Sequence, residues 1–294
     1  MIKIGIIANK SKDKDLLFTK SLSDKIVKLG GDYIFDEESG KSLGLDSSVH
    51  STENIIKNAD VVFTLGGDGT LLRAVRSLNF LEKPILGINL GTLGFLTQVD
   101  REHSERAVER IISGNYHIEK RMTIAVEIFN SAGERLYTDI ALNDVAITRS
   151  FMKSLVKLKM HINNEFVDTI SGDGLIIATP TGSTAYSMSA GGPLVDPQLN
   201  NIILTPICPH NLYSKAIVTS GDYVVRVTEC GDEGHEATVS VDGQKGYKFG
   251  DNFVIKCTRS DKSVNLIKLS NKYYFNVLRT KIYDIGESLR KDEI

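Results

Sequence analysis

The sequence predicts an α/β amino-terminal domain with a parallel sheet, followed by an all-β domain of the β-sandwich type. Three observations carry that prediction. Over the first hundred residues, apolar runs alternate with helix-period segments, as repeated βα units do. From about Arg121 the runs become short, rich in branched residues and separated by Gly, Asn, Asp or Ser. The last stretch, "NKYYFNVLRTKIYDIGESLRKDEI", is again partly helical and is expected to return to the first domain. The expected boundaries are 1–100 with 271–294 for the α/β domain and 101–270 for the β-sandwich.

"IKIGIIAN" reads as a buried strand, and the helix after it places Leu22, Ile26 and Leu29 on one side before Gly30 and Gly31 stop it. "DYIFDE" is a weaker strand, and "ESGKSLGLDSSVHST" reads as a polar surface connection, with a short helix from Glu53. "DVVFTLGG" and "PILGIN" are two more buried strands; between them "TLLRAVRSL" is a helix with Leu71, Val75 and Leu78 inward. "DREHSERAVERIISGN" carries helical spacing at Ala107, Val108 and Ile111 and is expected to cross to the second domain. There the strand candidates are "MTIAVEIF", "ERLYTDIALNDVAI", "LVKLKMHI", "EFVDTIS" and "DYVVRVT", with hairpin turns at "NSAG" and at Asn163–Asn164.

The 294 residues and an apolar fraction of 41% suit a globular chain of one large or two ordinary domains. A formal net charge of -2 points to neither a nucleic-acid nor a membrane partner, so any anion must be bound locally. Cys208, Cys230 and Cys257 are odd in number and lack close spacing, which disfavours a disulfide framework and a zinc site. With no signal-peptide pattern and no apolar stretch of spanning length, a reducing cytoplasm is expected.

The stretch "LGGDGTLLRAV" sets one acid into a bare backbone. Gly66, Gly67 and Gly69 lie in a strand-to-helix turn, where amide N–H groups and the positive helix end favour phosphate oxygens. The pattern is neither GxGxxG nor GxxxxGK[ST]. A carboxylate beside phosphates would repel them, unless Asp68 holds magnesium or takes a proton from an attacking hydroxyl. A capped tight turn explains the same residues about equally well.

A second segment tips the balance. "SGDGLIIATPTGSTAYSMSAGGP" begins with an Asp between glycines, passes through a buried strand and opens into small hydroxylated residues around Tyr186. Hydroxyls and free amides suit a ribose, an amide and phosphate oxygens, and the Tyr186 ring suits stacking on a base. By itself such a loop is more often a Ser/Thr-rich helix cap.

The motifs "GGDGTLLRA", "GINLGTLGFL", "ALNDVAI", "GDGLIIATPTGSTAYSMSAGGP" and "TPICPHNL", in this order, closely resemble those of the bacterial NAD kinases, from Met1 to the tail. GGDGT alone is shared with diacylglycerol and sphingosine kinases; the long second segment is the more specific. The resemblance implies an NAD kinase-like two-domain architecture and transfer of the γ-phosphate of ATP, or of another donor, to the 2'-hydroxyl of the adenosine ribose of NAD, giving NADP. Asp68 matches the proton acceptor, with Gly66, Gly67, Gly69 and Thr70 at phosphate and Arg73 one turn on. Asn143 and Asp144 match an Asn-acid pair that holds NAD, often Asn-Glu in relatives. Asp173, Thr181, Thr184, Ala185, Tyr186, Ser187, Met188 and Ser189 match the dinucleotide pocket, and Gln244 a late polar contact; Asp68 and Gly69 also face NAD in this matching. A divalent cation, magnesium, ATP as co-substrate and a homodimer or homotetramer are implied in the same way. No metal ligand set is assigned.

Many relatives carry Arg or Lys just before the second GDG, where this chain has Ser171 and Gly172. A phosphate contact is therefore missing or supplied elsewhere; Lys153, Lys157 and Lys159 are candidates, although a solvated strand face suits them better. His210 reads as a turn or core histidine, and Asp242–Gly243 as a hairpin turn that leaves Gln244 alone as a contact. A lipid or sphingoid kinase and a non-catalytic dinucleotide sensor are the competing functions. The first lacks an acyl-binding stretch; the second leaves Asp68 without a use.

Overall fold

The computed structural model describes residues 1–294 except 47–48, 92–93, 151–154, 212, 231–236, 245, 250–252, 270–273, 280 and 282–294. The chain divides into two compact units, Met1–Lys120 with Val264–Ile294, and Arg121–Ser263.

In the first unit the order is β1 (Lys3–Ala8), α1 (Leu17–Lys28), β2 (Asp32–Phe35), α2 (Glu37–Ser42), α3 (Thr52–Asn58), β3 (Val61–Gly66), α4 (Asp68–Ser77), β4 (Ile85–Asn89), β5 (Val99–Asp100) and α5 (Ser104–Ile112). β2, β1, β3 and β4 lie side by side, all parallel. β5 pairs with the end of β4 through Ile88 and Asn89. Ile4, Ile6, Phe63, Leu65, Leu86 and Ile88 from the strands pack with Leu22 and Ile26 of α1 and Ala107, Val108 and Ile111 of α5. α1 stops where Gly30 takes a φ of 85°, as the sequence suggests.

Two readings are corrected here. The polar stretch after β2 is not all connection, since α2 forms in it: Glu37 and Glu38 in its first turn suit the helix dipole, and Gly40 lets the helix lie against His50, 2.7 Å from where a Cβ would sit. α3 then starts from Ser51, whose hydroxyl accepts the Asn54 N–H. Residues 101–120, expected with the second domain, cluster with the first, because the apolar face of α5 fills its core.

β6 (His117–Phe129) leads into the second unit, which continues with β7 (Arg135–Ala141), β8 (Asp144–Arg149), β9 (Val156–Ile162), β10 (Glu165–Gly172), β11 (Gly174–Ala178), a 3-10 turn at Thr181–Thr184, the single helical turn α6 (Tyr186–Ser189), β12 (Asn201–Ile207), β13 (Ile217–Ser220), β14 (Val225–Glu229), β15 (Ala237–Val241), β16 (Tyr247–Phe249) and β17 (Val254–Lys268). One antiparallel sheet runs β13-β12-β11-β8-β15-β16, and the other contains β10-β9-β14-β17 with β6 and β7. Both contribute to one core, including Ile124, Val145, Leu158, Leu175, Val227, Val239 and Ile255, so this unit is a sandwich. Asn163 and Asn164, with φ of 49° and 70°, form the β9–β10 hairpin turn expected of them, and Asn130–Gly133 the β6–β7 turn.

"ERLYTDIALNDVAI" is not one strand. It breaks at Leu142–Asn143, and its halves join different sheets, β7 on β6 and β8 on β11 and β15. The last strand, β17, ends in the first unit, where Leu266 pairs in parallel with Ile85 of β4 and Ile267 and Leu269 enter the core. α7 (Tyr274–Leu278) follows in the same unit.

Candidate functional site

In the first unit the turn after β3 begins with Gly66, where a Cβ would lie 2.2 Å from Thr70 Oγ1. Glycine is required there by that close approach. Thr70 is buried, and its hydroxyl accepts the Asn9 Nδ2–H at 3.2 Å and the Gly67 N–H at 3.4 Å. It ties the turn from behind. Gly69 lies open to solvent in the first turn of α4, and Arg73 is exposed one turn later, its charge felt by the half-buried Asp36.

Asp68 opens α4, two residues before the predicted start of that helix. Its carboxylate is gripped by the segment before β5. Oδ1 accepts the N–H groups of Leu96 (3.2 Å) and Thr97 (3.0 Å) and the Thr97 hydroxyl (3.0 Å); among the described residues Oδ2 accepts the Phe95 N–H alone, at 2.6 Å. A carboxylate oxygen offers two lone pairs, so Oδ2 retains a free acceptor direction while Oδ1 is saturated. Gly94 makes this possible, since a Cβ there would fall 1.7 Å from Oδ1. Lys281, returning after α7, lies with its ammonium 4.5 Å from the Phe95 ring centroid. Burial pulls Lys281 below the ordinary lysine value, and the Asp68 charge opposes that shift.

In the second unit the Asn143–Asp144 pair is held by an acid from a hundred residues on. Asp242 Oδ1 accepts the N–H groups of Asn143 (2.7 Å) and Asp144 (3.2 Å), and Oδ2 that of Leu142 (2.9 Å). Asp242 and Gly243, with φ of 53° and 65°, do form the turn after β15 that the sequence suggests, yet the buried Asp242 side chain also sets the site. Burial first, and the neighbouring Asp242 second, raise the Asp144 carboxyl to about 7; a hydrogen bond from the Tyr186 backbone N–H works against them.

The hydroxyl-rich loop packs against the same backbone. Gly182 admits Asn143, whose carbonyl oxygen lies 2.0 Å from where a Cβ would be, and Thr179 Oγ1 donates to Leu142 O at 2.6 Å and accepts the Gly182 N–H at 3.0 Å. The hydroxyls expected to face a ligand are mostly used internally. Ser187 Oγ is buried against Thr205 Oγ1 (2.9 Å), Thr184 donates to Thr181 O (3.2 Å), and Thr181 Oγ1 accepts from the buried Arg121 (3.3 Å). Polar groups packed into a core seek partners there first. Tyr186 is 44% exposed, with Ser189 exposed and Ala185 and Met188 half-buried beside it.

Asp173 pairs with Arg149 of β8, Oδ1 to Nε 2.9 Å. An arginine thus stands beside the second GDG although none precedes it in sequence. Lys157 and Lys159 project to solvent from β9, and Lys153 lies outside the described residues. His210 is exposed, its N–H donating to Ser171 O at 2.8 Å, and Gln244 is exposed beyond the turn. Sequence reasoning therefore missed Gly94, Phe95–Thr97, Asp242 and Arg149. "GINLGTLGFL" carried a signal for the first two; Asp242 was hidden by its own turn chemistry.

Among the described residues no group of three or more His, Cys, Asp or Glu gathers, and no helix is long and apolar enough to cross a membrane. A single open lone pair on Asp68 suits magnesium held chiefly by phosphates and water rather than a protein cage.

A model of the ATP-NAD kinase N-terminal domain matches residues 4–116, and one of the ATP-NAD kinase C-terminal domain matches 142–269. The chain is 46% identical to an NAD kinase of Acetivibrio thermocellus over 290 residues, covering 99% of this chain and 100% of that one, and 40% identical to an NAD kinase of Ruminiclostridium cellulolyticum over 98% and 100%. Among solved structures, yeast NADH kinase complexed with NADH superposes with a TM-score of 0.84 at 23% identity over 96% of this chain and 87% of that one, a likeness of fold. An NAD kinase from Archaeoglobus fulgidus in complex with ATP gives a TM-score of 0.73 at 27% identity, covering 95% and 98%. Fold and turn define a small-molecule phosphotransferase. The chain belongs to the ATP-NAD kinase family, whose reaction is phosphorylation of NAD to NADP.

Proposed function

We propose that this chain moves the γ-phosphoryl group of ATP to the 2'-hydroxyl of the adenosine ribose of NAD, with Asp68 Oδ2 receiving the hydroxyl proton. The observation that carries this reading is the uneven loading of the carboxylate: Oδ1 is used up in holding Asp68, and Oδ2 keeps one acceptor direction. As the ribose oxygen forms its bond to the γ-phosphorus, the bond from that phosphorus to the bridging oxygen breaks and ADP leaves with its electron pair. A base in reach of the hydroxyl contributes about 100-fold to 10,000-fold. The Archaeoglobus relative bound to ATP supports ATP as donor.

Magnesium, when bound, neutralises charge on the phosphates; Asp68 Oδ2 is the chain's ligand for it if that oxygen does not serve as base. Asn143, Asp144 and Tyr186 hold the dinucleotide, with Asp173, Thr181, Thr184, Ala185, Ser187, Met188, Ser189 and Gln244 in its pocket or supporting it. With a value near 7, the Asp144 carboxyl is about half protonated at neutral pH and both donates and accepts. Gly66, Gly67, Gly69 and Thr70 shape the phosphate turn, and Arg73 adds charge beyond it. The family resemblance extends to a cytoplasmic homodimer or homotetramer, which light scattering on the purified chain tests.

A coupled NADP-formation assay with ATP, other nucleoside triphosphates and polyphosphate tests the reaction; no NADP with any donor refutes it. Titrating magnesium against Asp68→Asn assigns the role. Rescue at high metal identifies a ligand, and a lost rate with an unchanged metal requirement identifies the base.

A further inference from the structure

We propose that Lys12 and Asn89 form a phosphate anchor on the GGDG turn, binding the terminal phosphates of the donor; this rests on the phosphoryl-transfer reading above. The loops after β1, β3 and β4 meet at one end of the parallel sheet, with Ala8 opposite Leu65 and Gly66 opposite Asn89. That end, at the carboxyl termini of the strands, is where α/β sheets bind ligands.

The loop after β1 is fixed on both sides of Lys12. Asn9 donates its N–H to Leu65 O (2.9 Å) and its Nδ2–H to Thr70 Oγ1 (3.2 Å), and the Lys12 N–H returns to Asn9 O (3.0 Å). The buried Asp13 carboxylate accepts the N–H groups of Phe18 and Thr19 and the Thr19 hydroxyl. A Cβ on Gly67 would lie 3.0 Å from the Lys12 ammonium, and one on Gly91 3.8 Å from it. The cation therefore lies over two glycines, and a side chain at Gly67 would crowd it.

Asn89 supplies the independent observation. It is 1% exposed; its Oδ1 accepts the Gly91 N–H at 3.0 Å and lies 3.9 Å from the Cβ position of Gly67, while its Nδ2 is buried with no partner among the described residues. A buried amide donor left unpaired is costly, and a phosphate oxygen at the turn would satisfy it. Lysine suits this place as a compact charge on a flexible stem. With a net charge of only -2 spread over the chain, such a local cation is what an anion needs.

The test is steady-state kinetics of Lys12→Met and Lys12→Arg, with ATP and NAD varied separately, and calorimetric binding of inorganic tripolyphosphate. Lys12→Met is expected to raise the KM for ATP about tenfold or more, the loss of one charge-assisted contact, with the KM for NAD within about twofold. Lys12→Arg should recover most of the affinity. Tripolyphosphate should bind the wild type and weaken by a like factor in Lys12→Met; Asn89→Asp, which sets a like charge against the phosphates, should weaken it too. An unchanged KM for ATP, or equal rises in both KM values, overturns the anchor. Should the wild type form no NADP, the kinase reading falls, while tripolyphosphate binding still decides the anchor by itself.

Discussion

The carboxylate of Asp242 holds the backbone N–H of Asn143 at 2.7 Å across 99 residues of sequence. The same contact brings Asp242 beside the buried Asp144, whose carboxyl is raised to about 7 by burial and then by that neighbour.

Stability should therefore fall with pH in a defined window. The unfolded chain releases the Asp144 proton near its ordinary value of 3.8, while the folded chain keeps it until about 7. Between these values the folded state binds more protons, so stability declines from about pH 4 to about pH 7 and levels off above. At about 1.4 kcal/mol per unit of separation, the loss is roughly 4 kcal/mol at most. Asp144→Asn removes it: chemical denaturation should show the variant gaining on the wild type from pH 4 to pH 8. Parallel curves for the two proteins would contradict the assignment.

Gly94→Ala should act as a lesion of Asp68. The new methyl carbon would sit 1.7 Å from Asp68 Oδ1, so the carboxylate must leave its cradle of N–H groups. Turnover is expected to drop by about 100-fold or more, with calorimetric NAD affinity changed much less. A variant turning over at the wild-type rate would show that the cradled position of Asp68 is not needed.

Adjacent residues of the hydroxyl loop should separate. Ser187→Ala removes a buried hydrogen bond to Thr205, costing about 1 kcal/mol of stability, and should raise the KM for NAD less than a change at the exposed ring beside it. Tyr186→Ala, at an exposed ring, should leave the melting temperature within a few degrees and raise the KM for NAD severalfold. The opposite pattern would move the dinucleotide away from Tyr186.

Gly182→Ala should cost more than either. Its Cβ would fall 2.0 Å from Asn143 O, forcing apart the two backbones that carry the Asn-acid pair. We expect a loss above about 2 kcal/mol in thermal or urea unfolding, together with weakened NAD binding. A variant as stable as the wild type would mean that the backbone yields freely there.

Much of the fold was legible because local periodicity reports it. β1, β3 and β4 stand where the apolar runs lie, and Leu71, Val75 and Leu78 face the core as their spacing requires. The glycine turn at 66–69 and the Asn163–Asn164 hairpin were legible from the conformations their residues favour. What escaped was long-range. Nothing near Asp242 says that its carboxylate serves residues 142–144, and nothing near Asp68 names Phe95–Thr97 as its donors. The break inside "ALNDVAI" was missed for the same reason: alternating apolar residues continue through it, and only the contact with Asp242 shows why the strand stops. In the hydroxyl loop, composition counts donors without saying which point inward.

The path of β17 has a consequence for biosynthesis. Because Leu266 pairs with β4 and Ile267 and Leu269 fill the first core, that core stays unfinished on the ribosome until these residues have emerged. The contiguous sandwich, emerging later, is the first of the two that can close. A chain cut after residue 263 and tethered to the ribosome by a linker long enough to clear the exit tunnel should accordingly protect its sandwich from protease while its earliest-made strands remain open to cleavage.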